Sequence, residues 1–186
     1  MFCKFVFCLL VALACCLGSQ SAKRNFNLEL RNVSCTPFTD LVRQLECDVR
    51  KLAPNRFGFN LMFYLNRPVP LDADLEILLQ YRLPHAKRVV PLINLKLKIC
   101  DVLLHVPTVP MIKEILNGLT RFSNFPLSCP VKGNVMYNVT NLIITDSICP
   151  PYAPIVDFNF TLSFYEGKQT LVIYLLEGST TRKTKT

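Results

Sequence analysis

Apolar and polar residues alternate along most of this chain, in runs short enough to be single strands. Phe26, Leu28 and Leu30 alternate with Asn27, Glu29 and Arg31, and Leu45, Cys47 and Val49 with Glu46, Asp48 and Arg50. Phe57, Phe59, Leu61, Phe63 and Leu65 make the longest aromatic face, followed by Leu75, Ile77, Leu79, Tyr81 and Leu83. Ile93, Leu95, Leu97 and Ile99 come next, then Phe158, Phe160, Leu162 and Phe164, and finally Leu171, Ile173 and Leu175. A period of two places one face of each run against a core and leaves the other wet, as in antiparallel sheets. Pro54-Asn55, Pro84-His85 and Gly167-Lys168 separate runs and carry turn chemistry.

One segment has a different period. After Pro107 and Pro110, the residues Met111, Ile112, Ile115, Leu116, Leu119 and Phe122 recur at helical spacing, with Lys113, Glu114, Asn117 and Arg121 opposite. Proline suits a first helical turn, and Gly118 costs a helix only about 1 kcal/mol relative to alanine. The pattern predicts seven or eight strands and one amphipathic helix over residues 110–123. Many short strands without βαβ alternation indicate a mainly β fold, an immunoglobulin-like antiparallel two-sheet β-sandwich.

Residues 1–21 read as a secretory leader: Lys4, then an uncharged run from Phe5 to Leu17, then small residues. That run is too short for a bilayer, and no second long apolar stretch follows, so stable membrane insertion after leader removal is not expected. Residues 22–177 are one domain's worth, and 178–186 (GSTTRKTKT) read as a loose basic tail. Hydrophobic residues make up 51% of the chain, which excludes a wholly disordered protein.

Nine cysteines are present, four of them in the leader; Cys35, Cys47, Cys100, Cys129 and Cys149 remain, without the close pairs that zinc sites use. Widely spaced cysteines in an oxidising compartment form disulfides. Four cysteines allow three connectivities. The expected set is Cys35–Cys47, closing a twelve-residue connection, and Cys100–Cys129, bracketing the helix. Cys149 is then a buried free thiol, an intermolecular partner or a competitor for one bridge. Sequons stand at Asn32, Asn138 and Asn159. Strand parity turns Asn138 and Asn159 to solvent. Asn32 shares parity with Leu30 and needs a bulge to turn outward.

Several of these residues, in this order, carry a resemblance. Asn32-Val33-Ser34-Cys35 ends the first strand, Leu45-Glu46-Cys47 opens the second, and Tyr81-Arg82-Leu83 precedes a basic turn. Ile99-Cys100 then stands at a strand's end, Phe122-Ser123-Asn124 ends the helix, and Ser128-Cys129-Pro130 follows. The chain resembles a fly-expanded family of small secreted proteins of unknown function, similar to the ML lipid-recognition domains. Relatives of those domains bind sterols, lipid A or gangliosides, and some related insect proteins are linked to contact chemosensation. The resemblance implies a cup whose sheets stand apart around a lipid, sterol or cuticular hydrocarbon. The lining would fall to Phe59 and Phe63, to Ile77 and Leu79, and to Leu95 and Leu97. Phe158, Phe160 and Leu162 would add to it, with Ile115, Leu119 and Phe122 on the helix.

Periodicity alone does not separate such a cup from a closed sandwich, whose halves pack about 10 Å apart. A formal net charge of +8 adds a second feature. Arg82, Lys87 and Arg88, with His85, cluster in one turn, where they either contact an anionic head group or simply keep the turn soluble. No nucleic-acid fingerprint is present. No cofactor or metal is implied: Asp72, Asp74 and Glu76 read as a solubilising face. The two histidines have no nucleophile tied to them, so catalysis is not expected. The expected function is a secreted carrier or sensor of a hydrophobic small molecule, a role compatible with service to a membrane receptor or channel. The alternative is a glycosylated interaction module with a solid core.

Overall fold

The computed structural model describes residues 24–105, 110–126 and 128–183; the expected leader lies outside them. Eight strands form in the order β1 (Phe26–Pro37), β2 (Val42–Ala53), β3 (Arg56–Leu65), β4 (Asp74–Arg82), β5 (Val90–Lys98), β6 (Val135–Thr145), β7 (Asp157–Glu166) and β8 (Gln169–Arg182). Between β5 and β6 lie two helices, α1 (Ile99–Leu104) and α2 (Pro110–Phe122). Five strands make one sheet in the order β1-β8-β7-β4-β5, and three make the other in the order β2-β3-β6. Every pairing is antiparallel. The expected two-sheet sandwich is therefore the observed fold.

The turns sit where their chemistry places them. Asn55, His85 and Gly167 take positive φ between β2 and β3, β4 and β5, and β7 and β8, a conformation that glycine and asparagine adopt most readily. Asn55 does more than turn: its side-chain oxygen accepts from the Leu28 N–H at 2.6 Å, tying the β2–β3 turn to β1. The bulge needed for Asn32 is present, because the β1–β8 register shifts between Leu30 and Asn32.

Two expectations change. The alternation of β5 stops at Lys98, and Ile99, expected as strand, begins α1. Its N–H donates to the Ala73 carbonyl, and both Ile99 and Val102 are buried, so the short helix is held by burial rather than by a cap. The stretch from Gly178 to Arg182 is not a loose tail but the end of β8, paired with Phe26–Leu30 of β1 and with Asp157 and Phe158 of β7. Thr180 is only 3% exposed, and its hydroxyl accepts from the Val156 N–H at 3.0 Å. Gly178 is there for space: a Cβ would stand 2.4 Å from the Phe158 ring and 2.7 Å from the Glu29 carbonyl oxygen.

The sheets meet along one edge, where β1 passes onto β2 and Cys35–Cys47 links the two layers. At the other edge α2 closes the gap. Leu116 packs with Ala73, Leu75 and Ile77 of the five-stranded side, while Gly118 brings the helix onto Leu142 of β6. Ser123, just past α2, bridges to Val139, so the helix end is stitched to the edge of the smaller sheet. Cys100–Cys129 brackets this element as expected. Each bridge closes a loop worth about 3 kcal/mol of chain entropy. Replacing either cysteine pair by serine should lower unfolding free energy by about that amount in denaturant titrations. Loss of Cys100–Cys129 should also raise hydrogen exchange in α2 first.

Candidate functional site

The inner faces of the two sheets are not uniformly buried. Fully buried side chains gather in three separate clusters. One is built on Leu41, Val42, Leu65, Val131, Tyr137, Leu171 and Val172; another on Ala73, Leu75, Ile77, Ile99, Val102 and Leu116; the third on Leu28, Leu30 and Phe57. Between them runs a row of aligned residues across the larger sheet, Val33, Leu176, Phe160, Leu79 and Ile93. Each keeps accessible surface, as do Phe59 and Leu61 on β3. Phe59, Leu61 and Leu79 pack against none of the three clusters. These apolar side chains on opposed walls are less completely packed than the clusters around them.

Six of the expected lining residues pack against buried clusters: Phe160, Leu162, Leu95, Leu97 and Leu119 against the one under α2, and Phe158 against the one around Phe57. Leu79, Phe158, Phe160, Leu162, Leu95, Leu97 and Phe59 are all half-buried on strands that bring them to the inner faces. Phe63 is half-buried too, but is committed to an aromatic group with Phe125 and Tyr137, at centroid distances of 6.3 and 5.5 Å. Ile115 and Leu119 are half-buried on α2. Ile77 and Phe122 lie at the extremes of exposure: Ile77 is 2% exposed and belongs to the solid packing under α2, whereas Phe122, the last residue of that helix, is 38% exposed. Helical spacing does not reveal where a last turn leaves the core.

The expected head-group residues face elsewhere. Arg82 points to the outer side of the larger sheet, because Tyr81 takes the inner one, and its guanidinium pairs with Asp157 at 3.4 Å. Arg31 pairs with the other oxygen of Asp157, and both arginines join Gln80, Asn159 and Glu177 around an outer cleft of about 290 Å³. Lys87 and Arg88 are exposed in the β4–β5 connection beside Leu83 and Val89, which are 49% and 46% exposed. Sequence reasoning missed the outer cleft because its walls come from β1, β4, β7 and β8, and only register assembles them.

The same face carries two sequons. Asn32 and Asn159 flank Glu177 in one row, while Asn138 is exposed on β6 of the other sheet. Asp74 pairs with Lys98 and Lys96 at 2.8 and 3.3 Å, which makes that acidic and basic alternation an outer-face ion-pair ladder. Cys149 is a free thiol, half-buried, and burial raises its pKa. Asp101 sits on the short helix α1 and His105 just past its end, where the His105 N–H donates to the Asp101 carbonyl at 2.8 Å.

Residues 75–160, from β4 into β7, match the profile of a family described as a protein of unknown function (DUF1091). The match supports kinship with an uncharacterised family over that stretch. No curated protein matches the chain.

The Asp157 clamp has a pH signature. Hydrogen bonding by Arg31, aided by Arg82, holds its carboxyl below the ordinary value of 3.8. A lowered folded-state pKa means the stabilisation is present above that value and is lost as pH falls through the folded pKa. All three side chains are about half exposed, so the effect should stay below about 1 kcal/mol. The melting-temperature difference between the protein and Asp157→Asn should be measurable at pH 7 and should close in acid below pH 3.8.

Proposed function

We propose that the protein is a secreted, non-enzymatic binding protein that holds a hydrophobic small molecule, such as a lipid, sterol or long-chain hydrocarbon derivative, between its two sheets. One observation carries this: Phe59, Leu61 and Leu79 face the interior from opposite layers, remain partly accessible and pack on none of the buried clusters. Two further features support it. The disulfides suit an oxidising compartment, and no helix among the described residues is long and apolar enough to cross a membrane. The likeness to ML domains points the same way.

Affinity in such a site comes from burial. A sixteen-carbon chain gains about 0.8 kcal/mol per methylene, a gross ~13 kcal/mol, before ordering and association costs remove much of it. The exposed Lys87 and Arg88, beside apolar Leu83 and Val89, would meet a membrane surface or a receptor when ligand is exchanged.

A neutral solvatochromic dye titrated into oxidised protein should give a saturable blue-shifted signal that natural lipids displace. Leu79→Trp adds the sharper test. In an unfilled space the larger side chain should change stability by less than about 1 kcal/mol and weaken dye uptake about tenfold. In a solid core it costs roughly 1–3 kcal/mol, and no dye enters either protein. The second outcome leaves a glycosylated interaction module.

A further inference from the structure

The end of the sandwich where β4 turns into β5 has a composition of its own. The connection Leu83-Pro84-His85-Ala86-Lys87-Arg88-Val89 contains no acidic residue. Tyr81 lies opposite Val90, and the Ala86 N–H donates to the Leu83 carbonyl at 3.0 Å. The segment is therefore a hairpin tip with Leu83 and Val89 at its base, both exposed. Lys87 and Arg88 stand exposed between them and pair with no acid among the described residues. The β2–β3 tip, in the other sheet, repeats the arrangement, with Leu52 exposed beside Lys51 and Arg56. Both tips lie at one end of the molecule. Asn55 ties the β2–β3 turn to the start of β1, which pairs with the end of β8, and Ser179 near that end aligns through Asp157 with Arg82. Arg182 and Lys183 emerge there exposed, and Tyr152, 86% exposed, belongs to the loop that runs into the start of β7. Acids at this end are few. Glu29 is taken by Lys51 and Asp157 by Arg31 and Arg82, which leaves Asp146 just after β6. The opposite end also exposes apolar side chains, Phe38, Leu71 and Leu104, but Asp40, Asp72 and Asp101 stand close to them in the chain.

We propose that this end, built from the β2–β3 and β4–β5 tips, docks the protein on a bilayer surface that bears anionic lipid. Exposed apolar side chains set among uncommitted cations match the interfacial zone of a bilayer, where the acyl boundary takes the apolar groups and lipid phosphates and carboxylates take the charges. A sulfated polysaccharide would satisfy Lys87, Arg88 and Arg56 but leave Leu52, Leu83 and Val89 in water. The acids beside Phe38, Leu71 and Leu104 would be repelled by the same surface, so the docking has a direction. The docking surface is separate from the inter-sheet site, and either can fail without the other.

The test is co-sedimentation of the full oxidised chain with vesicles of phosphatidylcholine, alone or mixed with phosphatidylserine. The protein should bind the mixed vesicles about tenfold or more tightly than the neutral ones, and added salt should weaken that binding. Lys87→Gln with Arg88→Gln should lower affinity for the mixed vesicles about thirtyfold, at about fivefold per cation. Leu83→Ser with Val89→Ser should lower it about tenfold, and Leu71→Ser, at the opposite end, should leave it unchanged. All five positions are exposed, so the variants should melt with the parent and take up the neutral dye as the parent does. Absence of binding, or equal binding to the two kinds of vesicle, overturns the proposal and leaves the inter-sheet reading untouched. Vesicle binding that survives both tip variants, or is lost in Leu71→Ser, places the contact elsewhere and overturns it. Immobilised heparin that retains the parent and the Leu83/Val89 variant alike, with no vesicle binding, assigns this end to a sulfated polysaccharide instead.

Discussion

The structure is governed by a mismatch between two layers: five strands on one side must bury an apolar face against only three on the other. Strands lie about 4.8 Å apart, so roughly 10 Å of inner surface is left without a facing strand, which is close to the diameter of one helix. The amphipathic helix α2 supplies that cover. Its Leu116 reaches the inner face of β4, and Gly118 allows close approach to β6. The requirement explains why a single helix stands in a β protein, why it carries a glycine, and why a disulfide brackets it.

Closure by one helix at one edge and one disulfide at the other fixes the margins more firmly than the middle. Buried side chains gather at the Leu171 end, under α2 and around Phe57, and the central row between them stays partly accessible. The proposed ligand space follows from the same mismatch. Charge is kept out of it by pairing on the outer faces, where Arg31, Arg82 and Asp157 form one network and Lys96, Lys98 and Asp74 another.

Much of this was legible in the sequence, for physical reasons that can be named. Half-buried strands write their faces in alternation, so β1 to β5 and β7 could be read directly, and positive-φ turn residues marked three of the turns; β8 was legible as a strand, but a register shift near its start turns Val172, Tyr174 and Leu176 inward in place of the expected Ile173 and Leu175. The bulge before Asn32 followed from conflicting parity, and the two disulfides are the set favoured among the three connectivities that four cysteines allow. The end of β8 was hidden because its inward residues, Gly178 and Thr180, are not apolar, yet Gly178 is what lets Phe158 lie across the strand. The helix α1 was hidden because Ile99 continues the alternation of β5. The outer cleft was out of reach, since it depends on which strands are neighbours and not on local pattern.

The most direct test is a crystal structure of the oxidised protein purified from a eukaryotic secretion host without detergent. Elongated density between the sheets, running past Phe59, Leu79 and Phe160, is the predicted result. Phe59 and Leu61 packed directly against Leu79 and Phe160, with no enclosed volume beyond a few waters, would contradict it.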